Sequence, residues 1–262
     1  MILIGGALSV RAMTSVIINS TNFLSNTAPQ TGGVAISTFN AQLSYSDFLE
    51  NTATGTVLGG GGISILNLGI PKSHSPPTPT LQHPHTQRAQ LTFVFLGGGD
   101  STAISISYCN FVANTAHVGG GVYIPVNVSS TEITINRCSF KNNNASTNGA
   151  GLLIDGGILS SSQSLSVTVS YSAFQGNNAG TYGGALMVQG PRNLQTSVAL
   201  GLQTLLIYQN NAGIGGAGMF INNVQLSLDA CVVTKNSLGT ITDFYGASTY
   251  YYLLSLNRRY YT

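Results

Sequence analysis

The sequence predicts an all-β chain that folds as a right-handed parallel β-helix, a solenoid of about seven stacked coils. A hydrophobic anchor residue followed three positions later by Asn recurs seven times in the 262 residues. A glycine cluster that runs into a short apolar strand follows each of the first six anchors. Alternating β-branched residues lead into the anchors, as in β-strands. One copy is too short to bury its apolar face, so the copies must stack.

The anchor is the first repeated feature. Phe holds this position in the first five copies, and Ile and Val hold it in the last two. We expect the anchor rings to stack inside the solenoid and the asparagines to form a ladder of side-chain hydrogen bonds at a bend. The seven pairs are Phe23/Asn26, Phe48/Asn51, Phe111/Asn114, Phe140/Asn143, Phe174/Asn177, Ile207/Asn210 and Val233/Asn236.

The lead-in to each anchor is the second feature, as in ISISYCNF up to Phe111. The position two before the anchor is small and weakly polar, and in three copies it holds Cys109, Cys138 and Cys231. We expect these cysteines to be small buried hydrophobic residues. A disulfide across neighbouring coils or a metal site is the alternative. Short polar residues four before most anchors predict a sharp bend there.

The glycine clusters are the third feature, and they let the chain turn where a Cβ would clash. They begin at Gly32, Gly59, Gly119, Gly149, Gly183 and Gly215. The segment Met1–Val10 contains the same motif and has no basic residue before it, so it predicts the tail of an earlier repeat and not a signal peptide. A β-sandwich is the competing fold, but it requires antiparallel hairpins, which the recurring columns do not favour.

The predicted β-helix repeat domain spans residues 1–247 and is interrupted at 71–90 by a Pro/His-rich insertion. The insertion holds five of the eight prolines, and proline cannot donate to a sheet ladder. We expect a disordered loop, or sequence foreign to the fold such as a mistranslated intron. His83 and His85 lack a third ligand, so no metal site is predicted. Residues 248–262 fit no repeat and are expected to form an irregular tail or a cap.

Acidic residues are too few and too dispersed to predict an active site. Polysaccharide lyases and hydrolases with this architecture need clustered carboxylates. Asp47, Asp155 and Asp229 have uncharged equivalents in neighbouring copies, and Glu132 is isolated. We therefore expect no catalytic residue, cofactor or metal, with such an enzyme as the alternative. The scattered basic residues predict no nucleic-acid partner, and no apolar run is long enough to predict a membrane span.

Tyr45, Tyr108 and Tyr171 share the position three before the anchor and form the candidate binding face. We expect them to point outward. A row of tyrosines on one face could stack on sugars or contact a protein partner. Packing between tyrosines of neighbouring coils explains the same pattern.

The alternation of F-x-x-N with G-G-[A/V/I/L] resembles the repeats of the polymorphic outer-membrane proteins of chlamydiae, and similar repeats in large surface proteins of protists and algae. The resemblance covers roughly residues 1–236 outside the insertion, and it weakens at Ile207 and Val233, where Phe is absent. It implies a pectin-lyase-like β-helix. In the bacterial family, such repeats form a secreted passenger that mediates adhesion.

The expected function is therefore that of a non-enzymatic extracellular β-helix fragment of a larger surface protein, acting in adhesion or as a structural binding scaffold. The resemblance implies a location outside the cell or at its surface, at the outer membrane if the source is bacterial. Glycans or surface proteins are the expected partners. A purely structural spacer is a further alternative.

Overall fold

The computed structural model of the chain describes residues 7–11, 15–29, 34–37, 40–55, 63–68, 91–96, 102–126, 130–156, 164–191 and 198–239. The predicted insertion at 71–90 and the predicted tail at 248–262 lie outside these residues, as do the glycines at the start of the first two clusters. The described part of the chain consists of β-strands and turns, with no helix.

Two seven-stranded sheets carry the lead-in and the anchor of each copy, with strands numbered β1 to β29 in chain order. The lead-in sheet contains β2 (Ser15–Asn19), β6 (Asn40–Ser44), β11 (Thr102–Ser107), β15 (Ser130–Asn136), β19 (Ser164–Ser170), β23 (Val198–Gln203) and β27 (Gln225–Asp229). The anchor sheet contains β3 (Asn22–Leu24), β7 (Asp47–Leu49), β12 (Asn110–Val112), β16 (Ser139–Lys141), β20 (Ala173–Gln175), β24 (Leu206–Tyr208) and β28 (Val232–Thr234).

Two further sheets complete each coil. The alanine sheet has seven two-residue strands. They are β4 (Thr27–Ala28), β8 (Thr52–Ala53), β13 (Thr115–Ala116), β17 (Asn144–Ala145), β21 (Asn178–Ala179), β25 (Asn211–Ala212) and β29 (Ser237–Leu238). The glycine-motif sheet contains β1 (Leu8–Arg11), β5 (Val34–Ser37), β9 (Ile63–Leu68), β10 (Leu91–Leu96), β14 (Val122–Pro125), β18 (Leu152–Asp155), β22 (Leu186–Gln189) and β26 (Met219–Asn222).

The strand pairing confirms a parallel β-helix. Strands of successive coils pair in parallel in all four sheets, in place of the antiparallel hairpins that a sandwich requires. In the anchor sheet one line of paired residues joins the seven anchors, which number the coils from one to seven. It runs Phe23, Phe48, Phe111, Phe140, Phe174, Ile207, Val233.

The long interval between the second and third anchors contributes one extra strand. β10 pairs with β9 on one side and with β14 on the other, so the glycine-motif sheet has eight strands. No strand was predicted in this segment, because it carries neither the anchor nor the glycine motif. In the lead-in sheet β6 pairs directly with β11, so the interruption leaves the register of that sheet intact.

The bend between the lead-in and anchor sheets is made by a line of residues in the left-handed conformation. The line includes Tyr45 (φ 50°), Tyr108 (φ 54°) and Tyr171 (φ 50°), three residues before the anchor. The bend predicted four residues before the anchor was therefore wrong by one residue. A single residue with positive φ turns the chain, and the short polar residues flank it.

The bend after the anchor was predicted one residue too late, whereas the bend before the anchor was predicted one residue too early. We expected it at the asparagines, which in the first three coils are Asn26, Asn51 and Asn114. These asparagines do not have positive φ. The backbone N of each asparagine donates instead to the Oδ1 of the equivalent asparagine in the next coil. The residue before the asparagine therefore makes the turn. In the first five coils the residues that turn are Ser25, Glu50, Ala113, Asn142 and Gly176, with φ between 51° and 65°.

The anchor rings form a stack in the middle of the core. Ring centroids lie 4.6 Å apart between Phe111 and Phe140 and 4.5 Å apart between Phe140 and Phe174, with interplanar angles of 6° and 2°. All three side chains are fully buried. Like residues therefore meet along the axis because consecutive coils are in register.

The asparagines form the predicted ladder beside the anchor rings. The Oδ1 atom of Asn177 accepts hydrogen bonds from the backbone N and the Nδ2 of Asn143, at 3.1 and 2.9 Å. The Nδ2 of Asn177 donates to the Oδ1 of Asn210 at 2.8 Å and to the carbonyl oxygen of Phe140 at 3.0 Å. The side chain thus satisfies backbone groups that have no strand partner at the bend.

The ladder continues through the first three coils with the same geometry. The Oδ1 of Asn51 accepts from the backbone N and the Nδ2 of Asn26, at 3.0 and 2.9 Å. The backbone N of Asn51 donates to the Oδ1 of Asn114 at 3.3 Å, and the Nδ2 of Asn114 donates to the Oδ1 of Asn143 at 2.8 Å. Asn51 and Asn114 are fully buried, whereas Asn26 is only half-buried. Among the described residues, the second coil covers Asn26 through the Asn51 side chain.

A column of buried alanines was not predicted. The residue five after the anchor is Ala in the first six copies, which extends the motif to F-x-x-N-x-A in five of them. The residue before each alanine faces outward, and there Asn144, Asn178 and Asn211 form a second, outer ladder with N···O distances of 3.0 and 2.8 Å. The buried column is Ala28, Ala53, Ala116, Ala145, Ala179 and Ala212.

Gly121→Ala is expected to lower the free energy of unfolding by about 1–3 kcal/mol, because the added methyl group has no space. A Cβ at Gly121 would lie 2.1 Å from the carbonyl oxygen of Gly151 in the next coil. Urea denaturation measures the loss. At Gly201 the nearest atom to an added Cβ is 3.9 Å away, so Gly201→Ala should leave stability unchanged or raise it. Equal losses for both variants would contradict the tight packing at Gly121.

Candidate binding site

The candidate tyrosines lie along one edge of the solenoid, at the bend between the lead-in and anchor sheets. Tyr45, Tyr108 and Tyr171 occupy equivalent positions of coils two, three and five, and Arg137 occupies that position of coil four. Backbone hydrogen bonds hold the edge in register. The amide N of Arg137 donates to Ser170 O, and the amide N of Tyr171 donates to Gln203 O, both at 3.0 Å. We call this line of side chains the tyrosine–arginine column.

The four side chains of the tyrosine–arginine column stack on one another. The rings of Tyr45 and Tyr108 are stacked, with centroids 5.1 Å apart and an interplanar angle of 19°. The Cζ atom of Arg137 lies 5.3 Å from the ring centroid of Tyr108 and 5.7 Å from that of Tyr171. An Nη1 hydrogen bond from Arg137 to the Tyr108 hydroxyl fixes the guanidinium. Arg137 was not predicted, although it stands at the same offset from its anchor as the tyrosines.

The stacking divides the three tyrosines into two kinds. Tyr45 and Tyr108 are half-buried against each other, so packing between neighbouring coils accounts for them. Tyr171 is exposed, as expected for all three. Tyr171 is therefore the one member of the predicted face whose ring remains open to a partner.

Beyond Tyr171 the column ends and an open groove begins. The equivalent positions in coils six and seven hold Thr204 and Ala230, which are too short to cover the outer face of the Tyr171 ring. Tyr171, Leu206 and Val232 are 53%, 43% and 54% exposed. The groove has a volume of about 350 Å³ and is lined by Tyr171, Ser172, Ala173, Thr204, Leu205, Leu206, Ala230 and Val232. It therefore presents one aromatic face beside an apolar floor.

Charges of opposite sign flank the two ends of the groove: Arg137 and Lys141 lie on the coil before Tyr171, and Asp229 directly precedes the lining residue Ala230. Arg137 and Lys141 are both exposed, and within the described residues neither forms an ion pair with a carboxylate. Residues 164–191 and 198–222, the described parts of coils five and six, contain no charged side chain.

Burial raises the pKa of the Tyr45 hydroxyl, the neighbouring Tyr108 raises that pKa further, and Arg137 lowers it. That hydroxyl is therefore neutral at physiological pH.

The described carboxylates lie in separate columns. Asp47 is paired in register with Asn22 and Asn110, and Asp229 with Gln203. Burial raises the pKa of Asp47, and the hydrogen bond from Asn110 lowers it. Asp155 is paired with Pro125 and Gln189, and Glu132 with Ala103 and Ser166. Within the described ranges, no group of three potential metal-ligating side chains is present.

The three cysteines lie in the column two residues before the anchors, and none forms a disulfide. Cys109 and Cys138 are buried in adjacent coils, and Cys231 is half-buried. The Sγ atoms of Cys109 and Cys138 donate to the carbonyl oxygens of Ser107 and Asn136, at 3.3 and 3.4 Å. Burial raises the pKa of the Cys138 thiol well above its ordinary value, and Cys109 raises it further. Cys109 and Cys138 therefore serve as buried packing groups.

Comparison of the chain with protein-family models, with curated proteins and with solved structures gives no match. The part of the chain that the structure describes contains no helix with the length and apolarity needed to span a bilayer.

Proposed function

We propose that this chain is a non-enzymatic binding module, an extracellular β-helix segment of a larger surface protein that acts in adhesion. The groove beside Tyr171 is its contact with the sugar rings of a glycan. The observation that carries the proposal is the open outer face of Tyr171, held at the end of a stacked column over an apolar floor. The dispersed carboxylates favour binding over glycoside cleavage.

An aromatic face of this kind suits a pyranose ring. One side of such a ring carries C–H groups, which pack on an aromatic face, and its edge carries hydroxyls, which hydrogen-bond to polar neighbours. The Thr204 hydroxyl borders the groove, and the described parts of coils five and six offer Gln, Asn and Ser side chains in place of charges. The surface therefore combines one stacking position with neutral hydrogen-bonding groups.

The Tyr171 ring is held in place before any ligand binds. The Tyr171 backbone is held by the sheet edge, and Arg137 packs against the inner face of its ring. Binding therefore requires little ordering of the protein, and preorganised sites lose less entropy on association. A row of seven coils also repeats surface groups at a constant spacing of about 4.8 Å, which suits an extended polymer.

Tyr171→Ala is expected to weaken glycan binding about tenfold or more, because it removes the stacking face. An array of plant, algal, bacterial and animal polysaccharides, probed with the purified chain, measures this loss. Tyr171→Phe retains the ring and should retain binding. Leu24→Ala removes an equally exposed apolar group from coil one and should also bind normally. Unchanged binding by the Tyr171→Ala variant, or no binding by the wild type, would overturn the proposal.

A further inference from the structure

We propose that the preferred ligand of this groove is an anionic polysaccharide. A pyranose ring stacks on Tyr171, and a carboxylate or sulfate group of the same polymer binds the Arg137 guanidinium. This inference rests on the proposed function and deepens it by assigning the class of glycan. The juxtaposition that carries it is an exposed guanidinium, without a carboxylate partner among the described residues, one coil before an open aromatic face.

Most of the N–H donors of the Arg137 guanidinium remain available for a ligand. A guanidinium carries five N–H donors in a planar fork. Among the described residues, the Tyr108 hydroxyl is the one side-chain acceptor that it engages. The flanking rings of Tyr108 and Tyr171 hold the guanidinium between them at the edge of the solenoid. A planar, immobilised fork of this kind matches the oxygen pairs of carboxylates and sulfates.

The surrounding charges favour an anion at this place. Lys141 is a second exposed cation on the same coil, and it faces outward on the anchor sheet. Asp229 stands at the far end of the groove, beside the lining residue Ala230, and accepts a hydrogen bond from Gln203. It is three coils from Arg137, about 14 Å along the axis, which exceeds the screening length at physiological salt. Asp47 is two coils away in the opposite direction and accepts a hydrogen bond from Asn110.

Glu132 and Asp155 are the described acids on the same coil as Arg137. Glu132 lies five residues earlier along the extended lead-in strand, a separation of about 16 Å. Asp155 ends the glycine-motif strand of this coil and therefore belongs to another sheet of the solenoid. It lies near Tyr123, whose pKa is raised by burial and further by Asp155. These carboxylates are therefore too distant to neutralise the positive charge of Arg137. The described residues of coils five and six add no charge of either sign.

The distances suit one polymer that contacts both groups. Arg137 and Thr204 belong to coils four and six, so about 10 Å separates them along the axis. Two linked pyranose rings cover this span. One ring then lies over the outer face of Tyr171, above Thr204, while the acidic group of its neighbour reaches the exposed edge of the guanidinium.

The test compares three polymers that share one backbone: dextran, carboxymethyl dextran and dextran sulfate of equal chain length. We expect the wild-type chain to bind both anionic polymers at least about tenfold more tightly than dextran, with affinity that falls as salt is added. Arg137→Gln should remove about tenfold of the anionic affinity and weaken dextran binding much less, by the share of stacking that Arg137 gives to the Tyr171 ring. Lys235→Gln, which neutralises an exposed lysine on the other bend, should bind like the wild type.

The outcomes separate this inference from the proposed function. If Arg137→Gln weakens dextran and the anionic polymers equally, Arg137 only supports Tyr171, and the anion proposal is overturned while the proposed function stands. Equal affinity of the wild type for all three polymers overturns it as well. Tight binding of only the carboxymethyl or only the sulfated polymer supports it and identifies the anion. If no polysaccharide binds, both proposals fail.

Discussion

Asn177→Ala is expected to lower the free energy of unfolding by about 3–5 kcal/mol, because it interrupts the buried amide ladder. The variant removes the acceptor of the Asn143 backbone N–H and of its Nδ2 group. It also removes the donor to the Phe140 carbonyl oxygen and to the Asn210 Oδ1. Residue 177 is fully buried. The loss therefore includes the desolvation of groups that no longer have a partner, which exceeds the net value of ordinary hydrogen bonds.

The next residue in the chain provides the control. Asn178 belongs to the outer ladder, is exposed, and bonds through its side chain to Asn144 and Asn211. Asn178→Ala removes the same chemical group from the outer surface of the solenoid, and water replaces its hydrogen bonds. We expect a change of about 0.5 kcal/mol or less. Urea unfolding of both variants, followed by circular dichroism, measures the difference. Similar losses for the two would contradict the central role of the inner ladder.

Phe140→Ala has the second large effect, an expected loss of about 3–5 kcal/mol. The ring is fully buried between Phe111 and Phe174, with centroid separations of 4.6 and 4.5 Å. Its truncation removes the ring contacts on both sides and leaves a cavity that the flanking coils cannot close, since their spacing is set by the sheet ladders. Calorimetric or urea unfolding of the full chain measures the loss.

Two further substitutions test the explanation for Phe140. Ile207 and Val233 hold the same column in coils six and seven, so Phe140→Leu should cost less than half as much as Phe140→Ala. Phe220 is half-buried, with its ring 4.7 Å from that of Tyr182. Phe220→Ala should cost only about 1–2 kcal/mol. A Phe140→Leu variant as unstable as Phe140→Ala would show that the aromatic stack itself, and not the filled volume, supports the core.

The contacts inside the solenoid could be predicted well from the sequence, and the reason is the in-register parallel stacking of the coils. When equivalent positions lie over each other, a recurring residue at a constant offset becomes a spatial contact. The Phe and Asn columns follow from this rule, and so does the Cys column. The alanine column obeys the same rule, but its two-residue strands are too short to give an alternating pattern, and it was not predicted.

The bends and the extra strand were less predictable. Tyr45, Arg137, Thr204 and Ala230 all adopt left-handed backbone conformations at one column, yet they share no chemical property. The stacked coils impose that conformation, so composition gave no signal for the residue that turns. The strand Leu91–Leu96 joins the glycine-motif sheet without a repeat motif, because an apolar segment can pair with any free strand edge.

The amino-acid sequence by itself determined the repeat, the register and the identity of the Phe, Asn and Cys columns, because each depends on residues at a constant offset along the chain. The tertiary structure alone decided the site. Arg137 separates Tyr108 from Tyr171, and the ring face toward Thr204 is open only because the next two coils carry short side chains at that edge. The exposure of a side chain depends on the size of the side chains in the neighbouring coils. The offset of a residue from its own anchor does not encode that exposure.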